Sequence, residues 1–224
     1  GREVIMGITA KGFHDAADVE QWRVLFGGAM SYWRTASYAQ GIAFTAALAV
    51  AVGGLDRQPD VDVRPDGVFV RTVRADGRLD EVDVQIAQRV TAAARDLGLE
   101  ADPSQLQVIQ IAVAQGAGQD VRPFWNAALG YDDLGDEDAI DPLRRNPPLW
   151  FHELHSGATG RGRTHIDLSL PAEQAEARVR AALAAGGRLV SDAHAPLWWT
   201  IASPDNHGVD IAGWTDGDDD PDHA

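Results

Sequence analysis

Two stretches in the second half of the chain follow the same plan. They are LQVIQIAVAQGAGQDVRPFWNAALGY, residues 106–131, and RTHIDLSLPAEQAEARVRAALAAGGRLV, residues 163–190. Each predicts a strand, a helix and a glycine at which the helix stops. Strand-like segments follow both, PLWFHEL after the first and LWWTIAS with GVDIAGW after the second. A repeat at about 55 residues indicates two copies of one supersecondary unit packed on each other.

Alternation along these strands separates a helix-facing side from an opposite, more polar side. The predicted helix-facing residues are Ile109, Ile111 and Val113 in the first copy and Ile166, Leu168 and Leu170 in the second. On the second strand this leaves His165 and Asp167 on the opposite side. If the sheet curls, a set of polar side chains converges from equivalent places in the two copies: Gln110, His152 or its neighbour Glu153, His165 and Asp210.

Imidazole, carboxylate and amide oxygen together can bind a divalent metal such as Fe(II), Mn(II), Ni(II) or Zn(II). An ion with an open coordination position can then polarise a substrate oxygen. The candidate metal ligands are Gln110, His152, His165 and Asp210, and the candidate catalytic residues are the last three of them. The alternative is that His165 and Asp210 are ordinary polar residues on a hydrated sheet face.

Two adjacent tryptophans, Trp198 and Trp199, lie in one of the closing strands. Alternation sends one of them to the polar side, where an indole ring suits a planar or hydrophobic ligand. Core packing is the alternative for both. We therefore keep Trp198, Trp199 and Glu153 as candidate ligand-binding residues.

The second half resembles the glyoxalase/bleomycin-resistance superfamily, also called vicinal oxygen chelate proteins. The segments that carry the resemblance are PFWNAALGY, LWFHEL, RTHIDLSLP, AALAAGGRLVSD and WWTIASPDNHGVDIAGW. The resemblance implies paired βαβββ units and a metal held by residues of the first and last strand of each unit, which agrees with the ligand set above. The chain departs from the family in three places: Asp210 replaces the usual glutamate, DNHG replaces the usual Gly-Asn turn before it, and Gln110 is a weaker ligand than histidine. Several relatives are metal-free drug-binding proteins.

The first half predicts an α+β fold in which helices cover one face of a small antiparallel sheet. The predicted order is a helix over DAADVEQWRVL, a strand over AMSYWRTA, a helix over SYAQGIAFTAALAVAVGG, two strands in DVDVRPDGVFVRTVRADG and a helix over LDEVDVQIAQRVTAAARDLGL. The apolar residues at helical spacing are Ile42, Ala46, Ala49 and Val50 in the middle helix, and Val82, Ile86, Val90, Ala93 and Leu97 in the last. Asp80 can cap the last helix. The segment EADPSQ, residues 100–105, is predicted to be a polar linker.

From VEQWRV to LDEVDVQIAQRVTAAA, this first half resembles pterin-4a-carbinolamine dehydratase. The resemblance implies histidines that eliminate water from a 4a-hydroxytetrahydropterin by acid–base catalysis. Two of those histidines align with Arg57 and Gln58, and the third falls near Ala75. Arginine stays protonated and glutamine does not titrate, so we expect the fold to be kept and the dehydration chemistry to be lost. Arg57 and Asp60 remain candidate ligand-binding residues.

The composition of the 224-residue chain limits the classes of partner that it can bind. Its formal net charge of −15 argues against nucleic acid and anionic membrane surfaces, and the absence of cysteine excludes thiolate sites. No apolar run approaches the roughly 18 residues that a membrane-spanning helix needs. We expect a cytoplasmic homo-oligomer with a dehydratase-like domain at residues 1–102, a glyoxalase-like domain at 103–215 and a disordered acidic tail at 216–224.

Three functions follow from these observations. The first is a metal-dependent, glyoxalase-like lyase or isomerase acting on a small molecule. The second is a metal-free binding or antibiotic-resistance protein that uses the same polar side. The third is a 4a-hydroxytetrahydropterin dehydratase, against which the missing histidines argue. Under the first two, the dehydratase-like half serves as a scaffold or an oligomerisation module.

Overall fold

The computed structural model of the chain describes residues 7–154, 164–202 and 207–214. By its contacts the chain divides into two compact units that meet in the sequence between residues 106 and 107. Within the described ranges, no helix is long and apolar enough to cross a membrane. The acidic segment 216–224 lies outside the described residues.

The first unit is an α+β structure built on one antiparallel sheet. Its elements are α1 (Ala10–His14), β1 (Arg23–Leu25), β2 (Gly28–Arg34), α2 (Tyr38–Val52), β3 (Asp60–Arg64), β4 (Gly67–Thr72), α3 (Glu81–Asp96) and β5 (Glu100–Ala101). The sheet order is β1-β2-β4-β3, and β5 also pairs with β2. Since α2 and α3 pack on each other and both contact β4, they cover the same face of the sheet.

The predicted helix over residues 15–25 is wrong. The helix of this region is α1, which begins after the Thr9 cap and ends at His14, and residues 23–25 form β1 instead. Asp18 adopts a left-handed backbone with φ of 61°, which breaks a helix at this point. Trp22 is fully buried and its indole N–H donates to the Thr91 hydroxyl at 3.0 Å, so packing against α3 fixes this segment.

Helix α2 forms where it was predicted, but it buries a different face. Its buried residues are Gly41, Phe44, Leu48 and Val52, whereas Ile42 and Val50 are exposed. The helix contains no charged residue, so hydrophobicity alone cannot select a face. The buried face is selected instead by the close approach of the helix to β3 at Gly41, where an added Cβ would lie 3.2 Å from the Val63 side chain.

Helix α3 is capped as predicted, and its buried face is rotated from the predicted stripe. Asp80 accepts from the Val82 amide, and the Asp83 carboxylate accepts from the Asp80 amide, which completes a capping box. Ile86 and Val90 are buried as expected, while Leu97 is exposed at the end of the helix. The remaining buried positions are Asp83, Val84, Ala87, Thr91 and Ala94.

The segment EADPSQ is not a free linker. Residues 100 and 101 form β5, which pairs with Arg34 and Trp33 at the edge of β2 that β1 leaves open. The Arg34 guanidinium also forms an ion pair with Asp102. Backbone pairing therefore makes this stretch part of the first sheet.

Arg57 and Gln58 are both occupied by structural contacts. The Arg57 guanidinium lies between two acids, 2.6 Å from Asp80 Oδ1 and 2.9 Å from Asp83 Oδ2. Burial alone would raise the pKa of Asp80, but its bonds to Arg57 hold that pKa below the usual value. The Gln58 amide donates to the carbonyl oxygens of Val52 and Leu55 at the end of α2.

These contacts use the Arg57 guanidinium to neutralise buried carboxylates. Asp60, the other predicted ligand-binding residue of this unit, is exposed and accepts from the Arg71 guanidinium at 2.9 Å. Both residues are thus engaged in contacts within the first unit, and their ligand-binding roles stay predictions.

The second unit contains two βαβββ repeats joined into one eight-stranded sheet. The first repeat is β6 (Val108–Gln115), α4 (Arg122–Leu129), β7 (Asp132–Leu134), β8 (Asp138–Ile140) and β9 (Leu149–Glu153). The second is β10 (Thr164–Pro171), α5 (Ala172–Ala184), β11 (Arg188–Ser191), β12 (Trp198–Ala202) and β13 (Gly208–Trp214). The strand order is β11-β12-β13-β10-β6-β9-β8-β7, so β10 and β6 join the repeats at the centre.

The helix-facing side of this sheet is covered in two separate places. Leu168 and Leu170 pack with Val179 of α5, whereas Val113 packs with Phe151 and lies against residues around α4. Between these clusters Ile109 and Ile166 are each more than one third exposed. The two predicted apolar rows therefore lie on the expected side, but their central residues are not covered.

We predict that Arg57→Ala lowers the free energy of unfolding of the first unit by about 3 kcal/mol, because the fully buried Asp83 loses its cation. Arg64→Ala is the matched control. Its ion pair with Asp62 is exposed to solvent, so we expect a much smaller change than in Arg57→Ala. Urea unfolding followed by hydrogen exchange in α3 measures both changes in this unit alone. Equal effects of the two substitutions would contradict the structural role of Arg57.

The parent and Arg57→Ala should also differ in how their free energy of unfolding depends on pH. The pKa of Asp80 is lowered in the folded state, so its contribution to stability is present above the unfolded-state pKa of about 4 and is lost as pH falls through the folded value. The deficit of Arg57→Ala should therefore shrink on acidification below about pH 4. A deficit that stays constant down to pH 2 would speak against this linkage.

Candidate functional site

The register of the central strands places polar residues on one face of the eight-stranded sheet. His165 faces Ala112, Ala112 faces Trp150, and Trp150 faces Asp138 across four neighbouring strands. In the next row Gln110 faces Asp167. Facing residues share a side of the sheet. We call this side the polar face and define it by Gln110, Asp138, Trp150, His152, His165, Asp167, Trp198, Thr200 and Asp210.

Three of these side chains meet at the junction of β10 and β13. His165 Nε2 lies 3.1 Å from Asp167 Oδ1 and 3.6 Å from Asp210 Oδ2. The three side chains are between 21% and 28% exposed, so solvent and small molecules can reach them. One donor atom from each lies within 4.8 Å of the other two. We call His165, Asp167 and Asp210 the His–Asp–Asp group.

The electrostatics of this group couple its three members. The hydrogen bond to Asp167 raises the pKa of His165 against the opposing effect of burial, and the charge of Asp210 adds to the increase. Burial raises the pKa of Asp210, while a hydrogen bond from Thr200 and the charge of His165 act in the other direction. An imidazole between two carboxylates thus favours its cationic form, and a metal cation could take the place of that charge.

His152 adds a second imidazole next to the group. Its ring stacks on Trp150 with centroids 4.6 Å apart and meets the His165 ring edge-on at 5.7 Å. Nδ1 lies 3.2 Å from the Glu153 carbonyl oxygen, so it carries the proton in a neutral ring. Nε2 is buried and has no hydrogen-bond partner among the described residues. Its lone pair is therefore available to a ligand or an ion.

Gln110 is directed away from the His–Asp–Asp group. Its amide nitrogen donates to Asp138 Oδ1 at 2.8 Å. Burial raises the pKa of Asp138 to about 7, helped by the neighbouring charge of Glu137 and opposed by the bond from Gln110. The predicted set of Gln110, His152, His165 and Asp210 is thus brought to one face, but Asp167 and not Gln110 completes the close contacts.

The candidate ligand-binding residues are divided between the two sides of the sheet. Thr200 faces Asp210, which places Trp198 on the polar face and Trp199 on the other side. Trp199 packs against the core that contains Val179 of α5. Glu153 is exposed and by alternation lies on the side opposite to His152. Of these three, only Trp198 shares a face with the His–Asp–Asp group.

Four residues of the polar face were not in the predicted site, namely Trp150, Thr200 and the two acids Asp138 and Asp167. His165 and Asp167 are two residues apart on one strand, so alternation predicts that their side chains lie on the same side. This spacing was the signal that the Asp167 carboxylate could approach the His165 imidazole. Asp138 lies in β8, a three-residue strand of a short hairpin with β7. Strands this short leave almost no periodic pattern by which Asp138 could be assigned to the polar face.

The donor atoms suit a divalent cation. Two ligand atoms about 2.1 Å from one ion lie roughly 3.0–3.5 Å apart in octahedral or tetrahedral geometry. The separations of 3.1 and 3.6 Å around His165 Nε2 are close to this range. One imidazole and two carboxylates fit borderline and hard ions such as Zn(II), Fe(II) and Mn(II), and the unpartnered Nε2 of His152 is a further donor.

Comparison with known proteins gives one family and no curated relative. Residues 110–212 match the model of a family described as a glyoxalase-like domain. No curated protein matches the chain. Neither comparison supports a pterin dehydratase-like domain in the first half, and that resemblance stays a prediction. The match to residues 110–212 supports the glyoxalase part of the predicted resemblance.

Proposed function

We propose that the polar face of the second unit binds a divalent metal and that the protein is a metal-dependent small-molecule enzyme of the glyoxalase-like class. The observation that carries the proposal is the convergence of His165, Asp167 and Asp210 within 4.8 Å. His152 is the fourth candidate ligand, because its buried Nε2 lacks a partner among the described residues. Gln110 is not one of the proposed ligands.

The chain's own residues prepare this group for the ion. The Glu153 carbonyl holds the proton of His152 on Nδ1 and leaves Nε2 as the donor atom, which is the usual outer-shell arrangement of a metal-binding histidine. The Thr200 hydroxyl hydrogen-bonds the Asp210 carboxylate and fixes its orientation. Once bound, the metal would supply Lewis acidity that polarises adjacent oxygen atoms of a substrate.

The site also has aromatic walls that suit a planar or hydrophobic portion of the ligand. Trp150 stacks on His152, and Trp198 stacks on His194 with ring centroids 4.0 Å apart. Both indoles are partly exposed. These walls also favour the second candidate function, a binding or resistance protein that holds its ligand without turnover.

The dehydratase function receives no support from the first unit. Arg57 and Gln58 replace the histidines that the resemblance implies, and both are engaged by their own unit. An assay with a 4a-hydroxytetrahydropterin is the direct test, and we expect no turnover. The scaffold role of this unit, the homo-oligomer and the cytoplasmic location stay predictions.

The first test is the metal content of the purified protein, made without a histidine tag, beside a His165→Ala variant. We expect close to one equivalent of a transition metal in the parent and little in the variant, because His165 contacts both carboxylates. His194→Ala is the control, since it removes an exposed imidazole outside the group. Elemental analysis by mass spectrometry gives the content.

No metal in the parent, even after reconstitution with Zn(II), Mn(II) or Fe(II), would overturn the proposal and favour metal-free binding. Equal loss of metal in His165→Ala and His194→Ala would place the ion elsewhere.

A second test separates the His–Asp–Asp group from the ligand set expected from the sequence. Asp167→Asn should weaken Zn(II) binding by more than about tenfold, since losing even an outer-shell partner typically costs that much. Gln110→Met should change it by less than about threefold, because the Gln110 amide bonds Asp138. Calorimetric titration with Zn(II) measures both. The reverse ranking would return Gln110 to the ligand set.

A further inference from the structure

Helix α2 carries an exposed apolar face on the side opposite to its buried residues. Val50 is 85% exposed and Ile42 is 47% exposed, although both are large aliphatic residues. Exposed apolar patches of this kind mark interaction surfaces in soluble proteins. We call this surface the α2 face and define it by the exposed residues at helical spacing, which are Ala39, Ile42, Ala43, Ala46, Ala49, Val50 and Gly53.

The α2 face offers a partner no charge and no polar side chain. The segment from Thr35 to Leu55 contains no charged residue, in a chain whose net charge is −15. The Thr45 hydroxyl beside the face donates to the Gly41 carbonyl oxygen within the helix. A nucleic acid, a lipid headgroup or a charged protein finds nothing to pair with here, whereas two copies of an acidic chain can meet through this face without opposing carboxylates.

Large and small residues follow each other along the α2 face in the same order in both directions from Ala46. Ala43 and Ala49 lie three residues away from it on either side, and Ile42 and Val50 lie four residues away. A two-fold axis brings residue i of one copy to residue j of the other, and j to i. An axis at Ala46 therefore sets Ile42 of one copy opposite Val50 of the partner subunit, and the alanines between them allow the two helices to approach closely.

The length of α2 makes this contact large enough for a weak, specific dimer. Its 15 residues span about 22 Å. Pairing two such faces removes on the order of 1,000 Å² of accessible surface, which is the lower limit for a specific interface. We therefore expect a dissociation constant of about 1–100 µM.

We infer that the α2 face is the contact between two copies of this chain, which pair antiparallel about a two-fold axis at Ala46. The two-fold order of its residues and the lack of charge favour a second copy over an unrelated partner. The inference concerns the first unit alone and is independent of the proposed metal site.

Sedimentation equilibrium of the full chain, made without a tag, is the first test. We expect the parent to change from monomer to dimer between about 1 and 200 µM. Ala46→Glu should raise the dissociation constant by about 100-fold or more, because two carboxylates would then face each other at the axis. Ala92→Glu is the matched control, since it puts the same charge on an exposed position of α3 and should leave the constant within about threefold of the parent.

Crosslinking tests the position and direction of the pairing. The chain contains no cysteine, so a single introduced thiol can form a disulfide only with the same thiol of another copy. After mild oxidation with diamide, Ala46→Cys should give a covalent dimer and the control Ala92→Cys should not. Ile42→Cys mixed with Val50→Cys should give the heterodimer in preference to either homodimer, because antiparallel pairing sets these positions opposite each other.

Circular dichroism of each variant identifies a loss of fold, and the crosslinking decides the question if Ala46→Glu does not fold. The inference is overturned by a parent that stays monomeric at about 200 µM, by an oligomer that survives Ala46→Glu, or by equal effects of Ala46→Glu and Ala92→Glu. A crosslink of Ile42→Cys with itself, without one to Val50→Cys, overturns the antiparallel arrangement. Dissociation by Ala46→Glu alone together with the Ala46→Cys crosslink supports the inference.

Discussion

The antiparallel pairing of β6 with β10 is the constraint on which the candidate site depends. It joins the two repeats at the centre of the sheet and sets Ala112 opposite His165 and Gln110 opposite Asp167. A slip of one residue would turn His165 and Asp167 to the helix-facing side. The apolar residues of the same strands oppose that slip, because Leu168 and Leu170 would then leave the core that they form with α5. Apolar packing on the helix-facing side thus determines which side chains lie on the polar face.

Much of the architecture could be predicted from local patterns. The glycine stops, the Asp80 cap and the alternation of β10 each correspond to an observed feature. The errors occur where tertiary contacts override the local pattern. Helix α2 is apolar on every side, so its buried face depends on how closely Gly41 can approach Val63. Residues 15–22 have helical composition, but burying Trp22 requires a different path.

The sequence predicts which side of the sheet the candidate site residues lie on, but not which of their side chains contact one another. Alternation identifies His165 and Asp210 as residues on one side, and the structure brings them to 3.6 Å. Alternation cannot show that the Gln110 side chain turns toward Asp138, because that acid lies in a hairpin with three-residue strands. Side-chain direction depends on which partner satisfies the amide, and this information lies in the tertiary structure.

The acids of the chain differ in how fully hydrogen bonds and cations compensate their burial, and this difference separates the structural acids from those of the candidate site. In the first unit a guanidinium neutralises Asp80 and Asp83. In the second, Asp141 accepts three backbone amides and the side-chain amide of Asn146, which lower its pKa against the effect of burial.

The acids of the polar face lack such compensation. The described residues offer Asp167 and Asp210 one imidazole, which is cationic only when protonated, and they offer Asp210 the Thr200 hydroxyl and Asp138 one neutral amide. Three partly or largely buried carboxyl groups with so little compensation cost stability. A fold that can satisfy acids as fully as it does at Asp80 and Asp141 gains nothing structural from leaving these three undersatisfied. Acids left with so few partners are typical of functional sites, and this supports the proposal that the His–Asp–Asp group binds a ligand.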